Sequence, residues 1–236
     1  MSNWELRSFN NATTMAEQCA TEFLAWLISS DAPRNVALSG GRIARDFFHA
    51  VAQHAKDRNH SFAHVHFFWA DERCVPPGHA ESNYRSAEEL LFTPLDLPSG
   101  NIHRIEGEIE PAQAARNAEA ILRHLAPANA DGQPVLDLIL LGMGEDGHVA
   151  SLFPGESENA MSSTPVYRAV TAGKPPPQRI TLGYAAITAA HEAWVLASGA
   201  GKEPALKESL SSEGTTPLAR VLRQREQTRI FTDLRP

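Results

Sequence analysis

The chain has 236 residues, of which 42% are hydrophobic, and its formal net charge is −7 at pH 7. A chain of this length can bury a sizeable core. The negative charge argues against nucleic acid or an anionic membrane as partner, because both select basic surfaces. An anionic substrate would therefore need a local cluster of basic side chains.

The compartment is predicted from cysteine content and the N-terminal segment. Two cysteines, Cys19 and Cys74, are too few for a disulfide framework. The first ten residues lack the basic and apolar regions of a signal peptide, and no apolar run approaches the ~20 residues of a membrane span. These features predict a cytoplasmic protein.

Short apolar runs alternate with helical patterns, which is typical of a parallel sheet covered by helices. Thr13 or Thr14 is the predicted cap of a first helix that ends near Ser30. Further helices are predicted after residues 39–41, from Pro111 to about 125, and after Lys202. The predicted strands are 35–38, 65–70, 136–141, 166–171, 194–197 and 229–232. Without internal repeats or a long linker, the pattern predicts a single domain over 1–236.

Four polar, glycine-bearing or charged segments follow predicted strands. They are residues 39–41, the predicted polar loop over 71–85, residues 142–151 and residues 198–202. Open parallel sheets bind ligands at the carboxyl ends of their strands. We therefore expect these segments to form one site.

The third segment carries the chemistry of the predicted site. An apolar strand leads into a turn with Gly142, Gly144 and Gly147, which let the backbone approach a ligand. The turn ends at Asp146 and His148, and an ordinary histidine pKa of about 6.5 permits proton exchange near neutrality. An ordinary loop histidine and a dinucleotide-binding turn are the alternatives. The second is disfavoured because no long helix follows.

Three other features suit a phosphate group. Ser39-Gly40-Gly41 offers a hydroxyl and free N–H groups at a helix start, although it could be a simple tight turn. Arg73 can bind phosphate bidentately, or belong to solvated surface. Lys202 follows a glycine turn, but Leu196 and Glu203 depart from the nucleotide-binding P-loop pattern. Nucleotide hydrolysis is therefore not indicated.

Two other chemistries have little support. His64 and His66 lie two residues apart without a third ligand at recognisable spacing, so a metal site is not predicted. No Gly-x-Ser-x-Gly turn indicates a serine nucleophile. If the site performs hydrolysis, we expect water to be the nucleophile and His148 its base.

Several motifs in chain order resemble the 6-phosphogluconolactonase family. They are SGG at 39–41, WADERCVPPGHAESNYRSAEELL at 69–91, NIHRI at 101–105, LDLILLGMGEDGHVASLFPG at 136–155, KPPPQRITL at 174–182 and SGAGK at 198–202. The second and fourth motifs together are the most specific.

The resemblance implies a fold, a reaction and a set of partners. The fold is a three-layer α/β/α sandwich with a mainly parallel, Rossmann-like sheet, as in sugar-phosphate isomerases and glucosamine-6-phosphate deaminase. The reaction is hydrolysis of 6-phospho-D-glucono-1,5-lactone to 6-phosphogluconate in the oxidative pentose phosphate pathway. The resemblance implies no metal or organic cofactor, and we expect a monomer or small homo-oligomer.

Carried over to this chain, the family's motifs give each site residue a role. His148 becomes the general base and Asp146 the acid that orients it. Asp71 and Glu72 shape the site and position Arg73. The implied phosphate and substrate contacts are Ser39, Gly40, Gly41, Asp71, Arg73, Asn83, Gly144, Arg179 and Lys202.

One departure from the family pattern follows Gly41. Arg42 and Arg45 stand in a segment where the family commonly has hydroxyl-bearing residues. Either arginine could supplement the phosphate site, or both could be solvent-facing helix residues. Val149 replaces a common threonine, which leaves the proposed proton chemistry intact.

Two other functions stay open. A deaminase of the same superfamily would use Asp71 as the base for proton transfer at C2 of the sugar. A sugar-phosphate-binding regulator would keep the phosphate contacts but not the base. Arg73 and the VPP, SNY and SLFPG motifs favour the lactonase, and the presence of both Asp146 and His148 disfavours the regulator.

Overall fold

A six-stranded sheet forms the centre of the chain, whose computed structural model describes residues 3–58 and 61–235. In the described chain the strands are β1 (Trp4–Ser8), β2 (Arg34–Leu38), β3 (Val65–Trp69), β4 (Asp71–Arg73), β5 (Leu138–Gly142), β6 (Tyr167–Thr171), β7 (Gln178–Leu182), β8 (Glu192–Ala197) and β9 (Thr228–Thr232). The central sheet has the order β1-β9-β8-β5-β2-β3. All of its neighbouring strands are parallel. Its inner strands are apolar and buried because helices cover the sheet.

The helices pack around this sheet in groups. They are α1 (Ala12–Leu27), α2 (Arg42–Arg58), α3 (Asn83–Ala87), α4 (Pro111–Leu125), α5 (Glu158–Met161), α6 (Tyr184–Ala189), α7 (Glu203–Leu210) and α8 (Pro217–Gln224). Helix α1 packs on α2, α8 packs on both α6 and α7, and α4 packs on β6 and β7. The predicted α/β/α fold with a mainly parallel sheet is confirmed.

The predicted cap of the first helix is wrong. Asn11, not Thr13 or Thr14, precedes α1, and its Oδ1 accepts a hydrogen bond from Thr14 N at 2.8 Å. Asn11 has the extended backbone of an N-cap, which lets its side chain reach the third N–H of the helix. The helix ends at Leu27, slightly before the predicted end at Ser30.

A second sheet contains three antiparallel strands in the order β4-β7-β6. The predicted loop over residues 71–85 is wrong at both ends, because it begins with β4 and α3 starts at Asn83. Strand β4 reads Asp-Glu-Arg and has no apolar alternation, so its sequence gives no strand signal. It forms because β7 supplies the pairing partners. Strand β1, which pairs with β9, was also not predicted.

The topology places three glycine turns side by side. In the central sheet, β3 lies on one side of β2, and β5, β8 and β9 lie on the other side. The carboxyl ends of β2, β5 and β8 lead into residues 39–41, 142–144 and 198–201. Ligands of open α/β sheets bind where the strand order reverses in this way.

Ala70 joins the two sheets next to this point. Its N–H donates to Leu38 O at 2.7 Å, and its carbonyl accepts from Leu182 N at 2.8 Å. The second sheet is thereby held close to the carboxyl end of β2.

One core cluster includes residues of both sheets, such as Trp69, Trp194 and Ile180. This continuity supports the single domain over 1–236, which stays a prediction. Over the described ranges, none of the helices combines the length and apolar character needed to span a membrane.

Candidate active site

A cleft of about 400 Å³ lies at the carboxyl ends of β2, β5 and β8, beside β4 and β7. The predicted site residues that line it are Ser39, Gly40, Gly41, Arg42, Asp71, Arg73, Asn83, Gly144, His148, Arg179 and Lys202. Segments far apart in sequence therefore meet at one place, as expected from strand ends.

Asp146 and His148 form a hydrogen-bonded pair at the cleft. Asp146 Oδ1 lies 2.5 Å from His148 Nδ1 and accepts the His148 backbone N–H at 3.2 Å. Partial burial acts to raise the pKa of Asp146, but the hydrogen bond and charge interaction with His148 outweigh it and lower that pKa. With its Nδ1–H directed at the carboxylate, the imidazole has Nε2 as its basic nitrogen.

The lack of a side chain at Gly144 leaves room for the His148 imidazole. A Cβ added at Gly144 would lie 2.0 Å from His148 Nδ1 and 2.1 Å from Cε1. The turn is closed by Gly144 N, which donates to His148 O at 2.9 Å. Any larger residue at 144 would therefore displace the histidine ring.

The first glycine turn presents polar groups ahead of α2. Gly41 has a φ of 103°, in the left-handed region that favours glycine, and α2 starts at the next residue. A Cβ at Gly40 would lie 1.8 Å from Asn83 Oδ1, so glycine is required for this contact. Within the described chain, the buried Ser39 Oγ has no hydrogen-bond partner. Such a hydroxyl is suited to a ligand.

Four cationic side chains line the same cleft. Arg42 and Lys202 lie at the starts of α2 and α7, and Arg73 and Arg179 are directly opposite each other on β4 and β7. A Cβ at Gly199 would approach Arg42 Nη2 to 2.5 Å, so Arg42 reaches the turn that carries Lys202.

The cations affect one another's pKa values. Burial and the neighbouring Arg42 lower the pKa of Lys202, although Glu145 and Asp233 act in the opposite direction. Burial and the facing Arg73 likewise lower the pKa of Arg179. Opposed like charges are unfavourable in a sheet. A phosphate bound beside these cationic side chains would relieve their repulsion and accept charge-assisted hydrogen bonds from them.

Glu72 organises the polar segment after β4. Its buried carboxylate accepts backbone N–H bonds from Arg73 at 2.7 Å, Asn83 at 2.8 Å and Tyr84 at 2.8 Å. Burial raises the pKa of Glu72 and these hydrogen bonds oppose the rise. Glu72 thus fixes the backbone of two cleft residues, Arg73 and Asn83.

Asp71 links the second sheet to the loop that carries His148. Its Oδ2 accepts the Ser151 hydroxyl at 2.7 Å, and Asn83 Nδ2 donates to its backbone oxygen at 2.9 Å. Sequence reasoning missed the contact with Ser151. The two residues are 80 positions apart and no local signal joins them.

Asp146 and Arg45 are predicted site residues outside the lining. Asp146 contacts the cleft through His148. Arg45 is not brought to the cleft: its Nη1 donates to Ser86 Oγ at 3.1 Å, and it lines a separate groove. It lies nearly one helical turn beyond Arg42, away from the start of α2.

Some lining residues were not singled out as contacts, although all except Ile43 lie in the predicted segments 142–151 and 198–202. They are Ile43, Gly142, Met143, Glu145, Ala150 and Ser198. Glu145 and Ser198 belong to motifs already recognised, so their position beside predicted residues was the available signal. Ala150 has a φ of 50°, which is uncommon for a residue with a side chain and has no sequence signature.

Of the two histidines considered for a metal site, His64 lies just before β3 and His66 lies within it. His66 Nδ1 lies 2.9 Å from His103 Nε2. Burial and the neighbouring His66 lower the pKa of His103 to about 4. Across residues 3–58 and 61–235, no three or more His, Cys, Asp or Glu side chains are grouped to hold a metal ion. The absence of a metal or other cofactor stays a prediction.

Comparison with known proteins identifies the family. The sequence profile described as "Glucosamine-6-phosphate isomerases/6-phosphogluconolactonase" matches residues 10–230. The chain belongs to this family. The motif resemblance is thereby confirmed.

Individual relatives agree with this assignment. The 6-phosphogluconolactonase of Aggregatibacter actinomycetemcomitans is 33% identical over 96% of this chain and 95% of its own length. The chloroplastic 6-phosphogluconolactonase 3 of Arabidopsis thaliana is 34% identical over 84% of this chain, and the match spans 62% of the plant protein. The structure of 6-phosphogluconolactonase from Trypanosoma brucei superposes with a TM-score of 0.87 at 25% identity, covering 98% of this chain and 97% of that one.

Proposed function

We propose that this protein hydrolyses 6-phospho-D-glucono-1,5-lactone to 6-phospho-D-gluconate. The observation that carries the proposal is the Asp146–His148 pair on the same cleft as four cationic side chains. The names of the relatives agree with it. One end of the substrate is an anion and the other is an electrophilic carbonyl, which are the two features this cleft can address.

In the proposed reaction, His148 Nε2 takes a proton from water while the water oxygen bonds to the lactone carbonyl carbon. The tetrahedral intermediate collapses as the bond from this carbon to the ring oxygen breaks. The proton held by His148 passes to the ring oxygen, which becomes a hydroxyl group. Asp146 keeps the imidazole oriented and stabilises its protonated form.

The phosphate is assigned to the cationic part of the cleft. Arg73 and Lys202 provide charge-assisted hydrogen bonds, and the Ser39-Gly40-Gly41 turn adds the unpaired Ser39 hydroxyl and the start of α2. Arg42 supplements this group from beside Gly199. Asn83 and Arg179 are proposed as further substrate contacts.

The deaminase alternative would require Asp71 as a free base. Instead, Asp71 accepts hydrogen bonds from Ser151 and Asn83. These contacts suit a residue that shapes the site. They also make the Asp71 carboxylate a weaker acceptor for a substrate proton.

One assay tests the proposed function. The purified protein is mixed with freshly generated 6-phosphogluconolactone and, separately, with glucosamine 6-phosphate. We expect consumption of the lactone only, and consumption of glucosamine 6-phosphate instead would favour the deaminase. Lactonase activity should persist in excess chelator, and loss restored by a divalent ion would contradict the metal-free mechanism.

We also propose that the protein acts in the cytoplasm, as a monomer or small homo-oligomer. Its two cysteines are free, with Cys19 buried and Cys74 half-buried, which fits a reducing compartment. Cell fractionation and light scattering test these two statements.

A further inference from the structure

Phe153 lies between the proposed base and one of the cleft cations. Its ring centroid is 5.0 Å from that of His148, at an interplanar angle of 47°. The Arg179 guanidinium carbon lies 5.7 Å from the same Phe153 centroid. Phe153 is half-buried, and within the described residues it belongs neither to the core cluster nor to the cleft lining. Its contacts therefore serve the site more than the core.

The His148 ring needs support beyond its hydrogen bond. Asp146, which holds Nδ1, has a side chain that is 44% exposed and lies in the same turn. Gly144 contributes only backbone beneath the ring. A hydrogen bond at Nδ1 leaves the imidazole free to tilt about that contact. Among the described residues, Phe153 is the aromatic side chain whose ring packs on the imidazole, in a position where it can oppose this tilt.

Phe153 is itself held in place. Leu152, immediately before it, is buried and its N–H donates to Val149 O at 3.0 Å. On the other side, Arg179 is 7% exposed and is fixed by its Nε–H bond to Pro176 O at 3.1 Å. The aromatic ring thus connects a firmly placed cation to the imidazole.

We propose that Phe153 is a positioning residue that holds the His148 imidazole so that Nε2 faces the substrate. The proposal rests on the proposed function, because it assigns Phe153 to the same reaction. It predicts that the aromatic ring at 153 matters for turnover and not for phosphate binding. It also predicts that Phe153 has no effect once His148 is removed.

A double-mutant cycle tests this dependence. Phe153→Ala is made in the wild-type chain and in His148→Ala, and kcat and KM for 6-phosphogluconolactone are measured at high enzyme concentration. In the wild-type chain we expect kcat to fall about tenfold with KM unchanged, since small misplacements of a catalytic group are costly. In the His148→Ala chain the same change should leave kcat unaltered. Equal losses in both chains, or no loss in either, would overturn the proposal.

Two further variants control for packing. Phe153→Tyr keeps the ring and should retain kcat, whereas Phe153→Leu keeps volume without the ring and should lose it. Phe9→Ala removes a half-buried aromatic ring that stacks on Phe231 at 6.3 Å, away from the cleft, and should leave kcat unchanged. A Phe153→Leu variant as active as Phe153→Tyr would show that the aromatic ring is not required.

Ring contacts provide a readout that does not need activity. Nuclear Overhauser effects between the His148 and Phe153 ring protons are expected in the free wild-type protein, and their absence would overturn the packing. If these contacts are seen but the wild-type protein leaves the lactone intact, the proposed function fails instead.

Discussion

The two sheets contribute different things to the site. The parallel sheet ends in glycine turns, which bring backbone, the Ser39 hydroxyl, Lys202 and the Asp146–His148 pair to the cleft. The antiparallel sheet contributes the side chains of β4 and β7, namely Asp71, Arg73 and Arg179. Proton chemistry and substrate binding thus come partly from different structural units. Substitutions made separately in the residues of the parallel sheet and of the antiparallel sheet test this division.

His148→Ala removes the proposed base that follows β5 of the parallel sheet, and it should have the largest effect on turnover. Loss of a general base costs about 10²-fold or more in turnover. We expect that decrease in kcat, with an unchanged unfolding transition because the side chain is partly exposed. Near-normal turnover in a folded variant would show that the base lies elsewhere.

Gly144→Ala tests whether the turn positions that base. The added Cβ would overlap the His148 ring, so the ring must move and kcat should fall by about tenfold. Gly100→Ala is the matched control, because a Cβ there meets no atom within 4 Å, and its kcat should stay at the wild-type value. Equal kcat in the two variants would contradict the predicted overlap.

Arg73→Ala and Lys202→Ala compare the two sides of the phosphate site. Each removes charge-assisted hydrogen bonds of about 1.5–3 kcal/mol, so KM should rise by roughly 10- to 100-fold with a smaller change in kcat. Arg45→Ala is the control, since Arg45 bonds Ser86 outside the cleft and its loss should leave KM unchanged. If only one of the two cleft variants raises KM, phosphate binding belongs to one sheet alone.

Ser151→Ala tests the link between the two sheets and should have the smallest effect. It removes a donor from the buried Asp71 Oδ2, which should lower the free energy of unfolding by about 1–3 kcal/mol in urea denaturation. Ser211→Ala breaks an exposed local bond to Glu208 O and should change this free energy little. Equal stability of the two variants would mean that the link to Asp71 contributes nothing.

The local structure around the candidate site was predicted best where a few neighbouring residues determine it. The turn after β5 was recognised because glycines, an acid and a histidine follow an apolar strand within a few residues. The start of α2 after Gly41 was predicted for the same reason. Arg42 and Arg45 could not be separated from sequence, since both lie near one helix start and only the position of Ser86 assigns Arg45 elsewhere.

The second sheet could not be predicted in the same way. Strand β4 is short and charged, and its pairing partner β7 is about a hundred residues away. The opposition of Arg73 and Arg179 therefore depends on a register that no local pattern encodes. The same holds for Ser151 and Asp71, and for Phe153 between His148 and Arg179.

By itself the sequence determined the family, the alternation of strands and helices, and the chemical groups at the strand ends. These follow from local periodicity, glycine turns and motif spacing, which act over a few residues. Only the tertiary structure decided which groups meet. It pairs His148 with Asp146, opposes the two arginines and excludes Arg45 from the cleft. Such contacts depend on long-range packing, where a strand register or one helical turn moves a side chain into or out of the site.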